Sequence, residues 1–263
     1  MRPLLCCVLL ISWLMLVQAM AQSPFDGVWK VDLGESQSST KIYAYLLQDT
    51  TYRCTSCDPA LEIRADGRDQ KITGEPCYDT VSLQVVDDWT TLETDKRNGK
   101  TVGTSRMTVS FDGSSATFEW TESCSANGDV VSGKDILSRV TKGPRGSHAV
   151  SGSWQLSKRV NRSENALVIT LKLEGDTFSF ADPTGQSYAA RLDGTETPIE
   201  GDLSNTMVSV RRIGENMIEE TDKHDGKVVE VIRFTPSADG KTMTFSMEDK
   251  VKGGTRQFVC HKQ

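Results

Sequence analysis

The chain is poor in the side chains on which most catalysis relies. It has three histidines in 263 residues, His148, His224 and His261, and none stands in a recognisable arrangement with Ser or Cys. No Gly-x-Ser-x-Gly turn, which would expose a nucleophilic serine, and no glycine-rich phosphate loop occurs. Paired acids such as Asp87-Asp88 read as turns. The expectation is therefore a protein that is not an enzyme and has no catalytic residues. A structural zinc site needs four ligands, usually from two Cys-x-x-Cys pairs. Only one such pair is present, Cys54-x-x-Cys57, so neither a metal nor a cofactor is expected. Beyond residue 22 no apolar run approaches the roughly 20 residues of a membrane-crossing helix, and no segment carries helical periodicity.

What is present begins with a leader. Arg2 is followed by an apolar run from Leu4 to Val17 and by the small-x-small sequence Ala19-Met20-Ala21, the form of a secretory signal peptide. Cleavage before Gln22 is expected, giving an exported, periplasmic or extracellular protein without an integral membrane span. Losing Arg2 moves the formal net charge from −6 to −7, which disfavours nucleic acid or an anionic membrane surface as partner. Cys6 and Cys7 leave with the leader, and Cys54, Cys57, Cys77, Cys124 and Cys260 remain. An odd count leaves at least one thiol unpaired or intermolecular. A Cys-x-x-Cys pair serves as a redox couple, half a zinc site or a small disulfide loop. A redox couple sits where a helix begins after a strand. Here the pair lies between the strand-like segments "YLLQDTTYR" and "DPALEIR", which favours a structural Cys54–Cys57 disulfide. Cys77 and Cys124 are candidates for a second bridge.

The strongest signal is an internal repeat. "ETDKRNGK" at Glu93 to Lys100 recurs as "ETDKHDGK" at Glu220 to Lys227, and the match runs on without a gap to Phe118 and Phe245. Upstream, "DGVW" at Asp26 to Trp29 faces "SGSW" at Ser151 to Trp154. Two copies of a unit of roughly 120 residues follow, each large enough to fold alone. The repeats set the expected division: residues 1–21 the leader, 22–142 the first barrel, 143–151 a linker and 152–263 the second barrel. Within each copy, segments rich in Thr, Val, Phe and Trp alternate with Asp-Asp, Asn-Gly and Asp-Gly at spacings of about ten residues. The expected fold class is all-β, with two tandem antiparallel up-and-down barrels of about eight to ten strands each. Asn98-Gly99 and Asp225-Gly226 suit type I′ hairpin turns. A two-residue turn would set Glu93 opposite Thr104 and diagonal to Arg106 on one face, with Glu220 and Arg233 repeating the arrangement.

A Gly-x-Trp on the first strand, at Gly27-x-Trp29 and again at Gly152-x-Trp154, followed by a long β-meander, resembles the lipocalin and fatty-acid-binding-protein superfamily, and within it bacterial exported lipocalin-like proteins. The resemblance implies that Trp29 and Trp154 plug one end of each barrel. It also implies that an Arg seven residues after the hairpin glycine, here Arg106 and Arg233, points into the cavity toward a ligand carboxylate. The superfamily's final Arg-x-Tyr is approximated by Arg256-x-Phe258. The two lid helices of fatty-acid-binding proteins have no counterpart in "GESQSSTK" or "SKRVNRSEN", so lid-gated uptake is not implied. Phe118 with Trp120, and Phe178 with Phe180, share strand faces and would line a core or a ligand cavity. The expected function is non-catalytic binding of a small apolar or anionic amphipathic ligand inside a barrel. The alternative is an envelope scaffold or inhibitor-like module, its barrels filled by side chains, that binds another protein.

Overall fold

A computed structural model describes residues 23–37, 41–57, 59–251 and 253–263. The expected leader lies outside the described residues. The repeat's strand signals become β1 (Gly27–Gln37), β2 (Ile42–Gln48), β3 (Thr51–Cys54), β4 (Leu61–Arg64) and β5 (Gln70–Lys71). The first half continues with β6 (Thr80–Asp87), β7 (Thr90–Arg97), β8 (Lys100–Val109), β9 (Ser115–Glu122) and β10 (Val131–Lys142). The second repeat supplies β11 (Gly152–Arg162), β12 (Val168–Glu174), β13 (Thr177–Ala181), β14 (Ser187–Arg191) and β15 (Thr197–Pro198). It ends with β16 (Met207–Arg212), β17 (Ile218–His224), β18 (Lys227–Pro236), β19 (Thr242–Asp249) and β20 (Thr255–Lys262). Among the described residues no helix is long and apolar enough to cross a membrane.

The strands form two ten-stranded antiparallel sheets, each curled into a nearly closed barrel. The first runs β4-β3-β2-β11-β10-β9-β8-β7-β6-β5, and the second runs β14-β13-β12-β1-β20-β19-β18-β17-β16-β15. An isolated bridge between Asp66 and Gln84 brings the first sheet's ends together, and bridges Ser187–Glu200 and Asp193–Arg211 do so in the second.

The sheets do not follow the repeats. β1, which opens the first repeat, pairs with β12 and β20 of the second. β11, which opens the second repeat, pairs with β10 and β2 of the first. Each barrel is thus closed by the opening strand of the other repeat, and the boundary between barrels falls after Arg162 rather than in residues 143–151. Loop closure gives the physical reason. β10 and β11 are joined by nine residues, and pairing them orders far less chain than pairing strands about a hundred residues apart. The expected linker is itself folded in: Val150 and Ser151 are buried, and the Ser151 hydroxyl bridges to the Leu47 backbone.

The two tryptophans take the same place in opposite barrels. Trp29 and Trp154 are fully buried, and their Nε1 groups donate to the carbonyls of Phe25 and Val150, each at 2.9 Å. Trp29 packs in the second barrel's core with Phe178, Phe234 and Met243, and Trp154 in the first with Leu47, Leu83 and Val109. Arg139 lies over the Trp154 ring at 3.9 Å, and Lys262 lies over Trp29 at 5.3 Å. Disulfides join Cys54 to Cys57 and Cys77 to Cys124, while Cys260 is free and buried. Two disulfides in one barrel fit an oxidising, non-cytoplasmic environment.

The hairpin turns form as their sequences require, with positive φ at Asn98 (50°) and Gly99 (77°) and at Asp225 (49°) and Gly226 (74°). The strands that leave them are not in simple register. A bulge between Asp95 and Lys96 pairs Glu93 with Ser105 and Leu92 with Arg106. Its counterpart between Asp222 and Lys223 pairs Glu219 with Arg233 and Glu220 with Ile232. A shift of one residue exchanges the faces of a strand. The expected Glu93–Arg106 and Glu220–Arg233 faces are therefore split, with acids inside and arginines outside.

Candidate functional site

A cavity of about 560 Å³ occupies the second barrel and extends to side chains of the first. At the Trp29 end the barrel is filled by Phe25, Phe178, Ile218 and Met243, all fully buried. Farther along, alternate residues of β1, β18 and β20 line the cavity: Val31 and Leu33, then Glu230, Ile232 and Phe234, then Arg256, Phe258 and Cys260. This is the period-two pattern of strands facing an interior. Phe180 lines the same space and stacks on Tyr188 with ring centroids 5.5 Å apart.

The exchanged strand β11 carries Leu156, Arg159 and Arg162 to this cavity, and Tyr43 of β2 and Asp135 of β10 join them. Arg162 makes two hydrogen bonds to Asp135, at 2.7 and 2.9 Å, and lies over the Trp120 ring at 5.2 Å. Gly133 permits this stack, because a Cβ there would stand 2.6 Å from the Arg162 guanidinium and 2.7 Å from Trp120. Arg256 is paired with Glu230. Arg159 differs. Its guanidinium lies over Phe258 at 4.8 Å and donates to the Gln37 carbonyl at 3.1 Å, and among the described residues it makes no ion pair with a carboxylate. Burial holds its pKa below the usual arginine range, and the charge of Arg162 pushes the same way.

Acids of the second barrel, Glu220, Asp222 and Glu230, also line the cavity. Tyr188 donates a hydrogen bond to Glu220, whose burial, reinforced by the charge of Asp222, pushes its carboxyl well above the usual range. Asp222 is pushed up to about 7 by burial, against a hydrogen bond from Glu220 that pulls it down, with smaller upward pushes from the charges of Glu230 and Asp202. Its Oδ1 is buried without a hydrogen-bond partner among the described residues. The first barrel repeats part of this wall. Burial, then the charge of Asp95, takes Glu93 to about 8. Burial, then Glu75 and Glu122, takes Asp95 to about 6.

The expected ligand-facing residues therefore divide. Arg256 and Phe180 line the cavity, and Phe178 belongs to the packed core behind it. Phe118 packs against the first barrel's core, and Trp120 supports Arg162 without lining the cavity. Arg106 is exposed, and Arg233 pairs on the outer face with Glu219 at 2.8 Å and Glu248 at 4.0 Å. The expectation that these two arginines point inward is overturned by the bulges. Arg159, Arg162, Glu220 and Asp222 were not anticipated as cavity residues. The basic run Lys158-Arg159-Val160-Asn161-Arg162 was visible, but only the strand exchange places it against the other barrel.

Two nearly closed ten-stranded barrels built from a duplicated unit fit a lipocalin-like β-barrel duplication in shape, although no protein-family model and no curated protein matches the chain.

Proposed function

We propose that the chain is an exported, non-catalytic binding protein that holds a small amphipathic ligand with an anionic group in the second barrel. The carrying observation is the cavity of about 560 Å³, largely apolar, with Arg159 at its edge free of any carboxylate partner among the described residues. Such a volume lies within the range of small-molecule sites, where apolar walls supply affinity and a few polar groups fix orientation. Arg159 would take the anionic group and Arg256 would assist it, each as a charge-assisted hydrogen-bond donor. The disulfides support a location outside the cytoplasm, and the leader-like residues 1–21 narrow the reading to the periplasm or extracellular space.

Native mass spectrometry of the protein from its own compartment tests this reading. An adduct of a few hundred daltons that is lost on denaturation is expected. Arg159→Gln should weaken a long-chain carboxylate about tenfold or more while leaving a neutral analogue nearly unaffected. Arg233→Gln, on the outer face, should change neither. Absence of any adduct, together with failure to take up carboxylate or neutral lipids, would refute the reading.

A further inference from the structure

The cavity is bordered by two polar groups that the protein leaves incompletely paired, a guanidinium and a carboxyl. Arg159 is a cation with no carboxylate partner among the described residues. Asp222 lines the same cavity, is 9% exposed, and has a buried Oδ1 with no hydrogen-bond partner. The other charges nearby are matched: Arg162 by Asp135 and Arg256 by Glu230. Glu220, 4% exposed, is held by the Tyr188 hydroxyl. A buried carboxylate oxygen without a donor is costly; Glu220, whose raised carboxyl keeps its proton, hydrogen-bonds the Asp222 carboxylate, yet Oδ1 is left without a partner among the described residues. A cation such as Lys or Arg could have been built in at this wall, as Arg256 is for Glu230. Residues 218, 220 and 222, which face inward from β17, are instead Ile, Glu and Asp.

We propose that the ligand is an amphipathic zwitterion, whose anionic group meets Arg159 and whose protonated amine meets Asp222, with an apolar body between them against Phe180, Ile232 and Phe258. This rests on the binding reading above and narrows its ligand class. An ammonium supplies the donor that the Asp222 Oδ1 lacks, and it offsets the desolvated charge of Asp222 more fully than a neutral hydroxyl can. The groups that face Asp222 are Glu220 on its own strand, Tyr188 on β14, Glu230 on β18, Asp202 in the loop after β15 and, through Glu230, Arg256 on β20. Three of the first four are carboxyls, so a cation gains from the surroundings as well as from Asp222 itself. Preference for the amine should rise as the pH rises from about 6 to about 8, because burial holds Asp222 partly protonated near neutrality.

The test uses the intact, oxidised protein and isothermal titration with dodecanoate, 12-aminododecanoate and dodecylamine at about pH 6 and about pH 8. The 12-amino acid should bind at least about tenfold more tightly than dodecanoate at the higher pH, with a smaller ratio at the lower. Asp222→Asn should erase that ratio while retaining dodecanoate, which also reports that the variant is folded. Arg159→Gln should weaken both carboxylates and spare dodecylamine. If dodecanoate binds as tightly as the amino acid at both pH values in the unmodified protein, the zwitterion proposal is overturned and the carboxylate-binding reading stands. If none of the three binds, both are overturned.

Discussion

Trp29 lies in the first repeat by sequence and in the second barrel by pairing, and Trp29→Ala separates these assignments. Cys260 reports on the second barrel. It is fully buried in the same core cluster as Trp29 and pairs directly with Val31 on β1, and burial pushes its thiol up to about 12. Fully buried even where it borders the cavity, this thiol reacts with a bulky aqueous maleimide chiefly when the barrel opens. Replacing a buried tryptophan by alanine removes roughly 3–5 kcal/mol, which at about 1.4 kcal/mol per decade raises the open population by about two to three and a half orders of magnitude. Labelling of Cys260 in native buffer, followed by mass, should accelerate accordingly. Trp154→Ala removes a tryptophan of equal burial from the first barrel and should change the rate by no more than a few fold. The reasoning is refuted if Trp154→Ala accelerates Cys260 labelling and Trp29→Ala does not, because β11 would then close the second barrel and the strands would follow the repeats. Equal acceleration by both would also refute it, by showing that the barrels open as one unit.

Two further outcomes follow from the first barrel. Glu93 is raised to about 8 and Asp95 to about 6 by burial, so the folded state retains protons that the unfolded chain releases near pH 4 to 4.5. That contribution is full below the unfolded values and is lost as pH rises toward 8, so urea or thermal melts should show falling stability between about pH 5 and 8. Glu93→Gln should flatten the fall by an amount of the order of a few kcal/mol, and an unchanged slope would refute the assignment. The Cys77–Cys124 bridge spans 47 residues and the Cys54–Cys57 bridge spans 3. On chain entropy alone the first should contribute about 4 kcal/mol and the second about 2. Paired Ala substitutions compared in denaturant melts should preserve that order, and a reversed order would count against the entropic account.

The fold was legible where local chemistry decides it. Asn98-Gly99 and Asp225-Gly226 announce their turns because few other residues accept positive φ at both central positions, and the repeat announces the duplication. The division into barrels was not legible, because a strand's partners depend on which distant edge is free when it arrives. Nothing in "DGVW" or "SGSW" records that. The site was misread for a smaller reason. One extra residue in the second strand of each hairpin, Val102 opposite Asp95-Lys96 and Val229 opposite Asp222-Lys223, reverses the faces beyond it. The resemblance implies that Arg106 and Arg233 point inward, by their spacing from the hairpin glycine, and that spacing holds only as far as the bulge. Arg256 lies on a strand paired with β19 without a register shift, and there the alternation carried through.

The same exchange gives a physical reason for the site to lie between the barrels. If β11 had closed its own repeat's barrel, Arg159 and Arg162 would not stand on a strand of the first barrel beside Tyr43 and Asp135. The second barrel's acids, Glu220, Asp222 and Glu230, would then share one barrel with Arg159 and Arg162 as well as with Arg256. By placing β11 in the first barrel, the chain sets basic side chains from one unit against an acidic wall of the other. Tyr43, Asp135, Leu156, Arg159 and Arg162 of the neighbouring barrel border the cavity. A ligand bound there would touch both barrels, so its affinity should depend on contacts across the seam as well as on the cavity wall. Ser157→Ala, an exposed position on β11 outside the cavity lining, supplies the control for any effect seen at Arg159. Loss of binding in Arg159→Gln with none in Ser157→Ala would place the effect in the side chain that faces the cavity rather than in the strand that carries it.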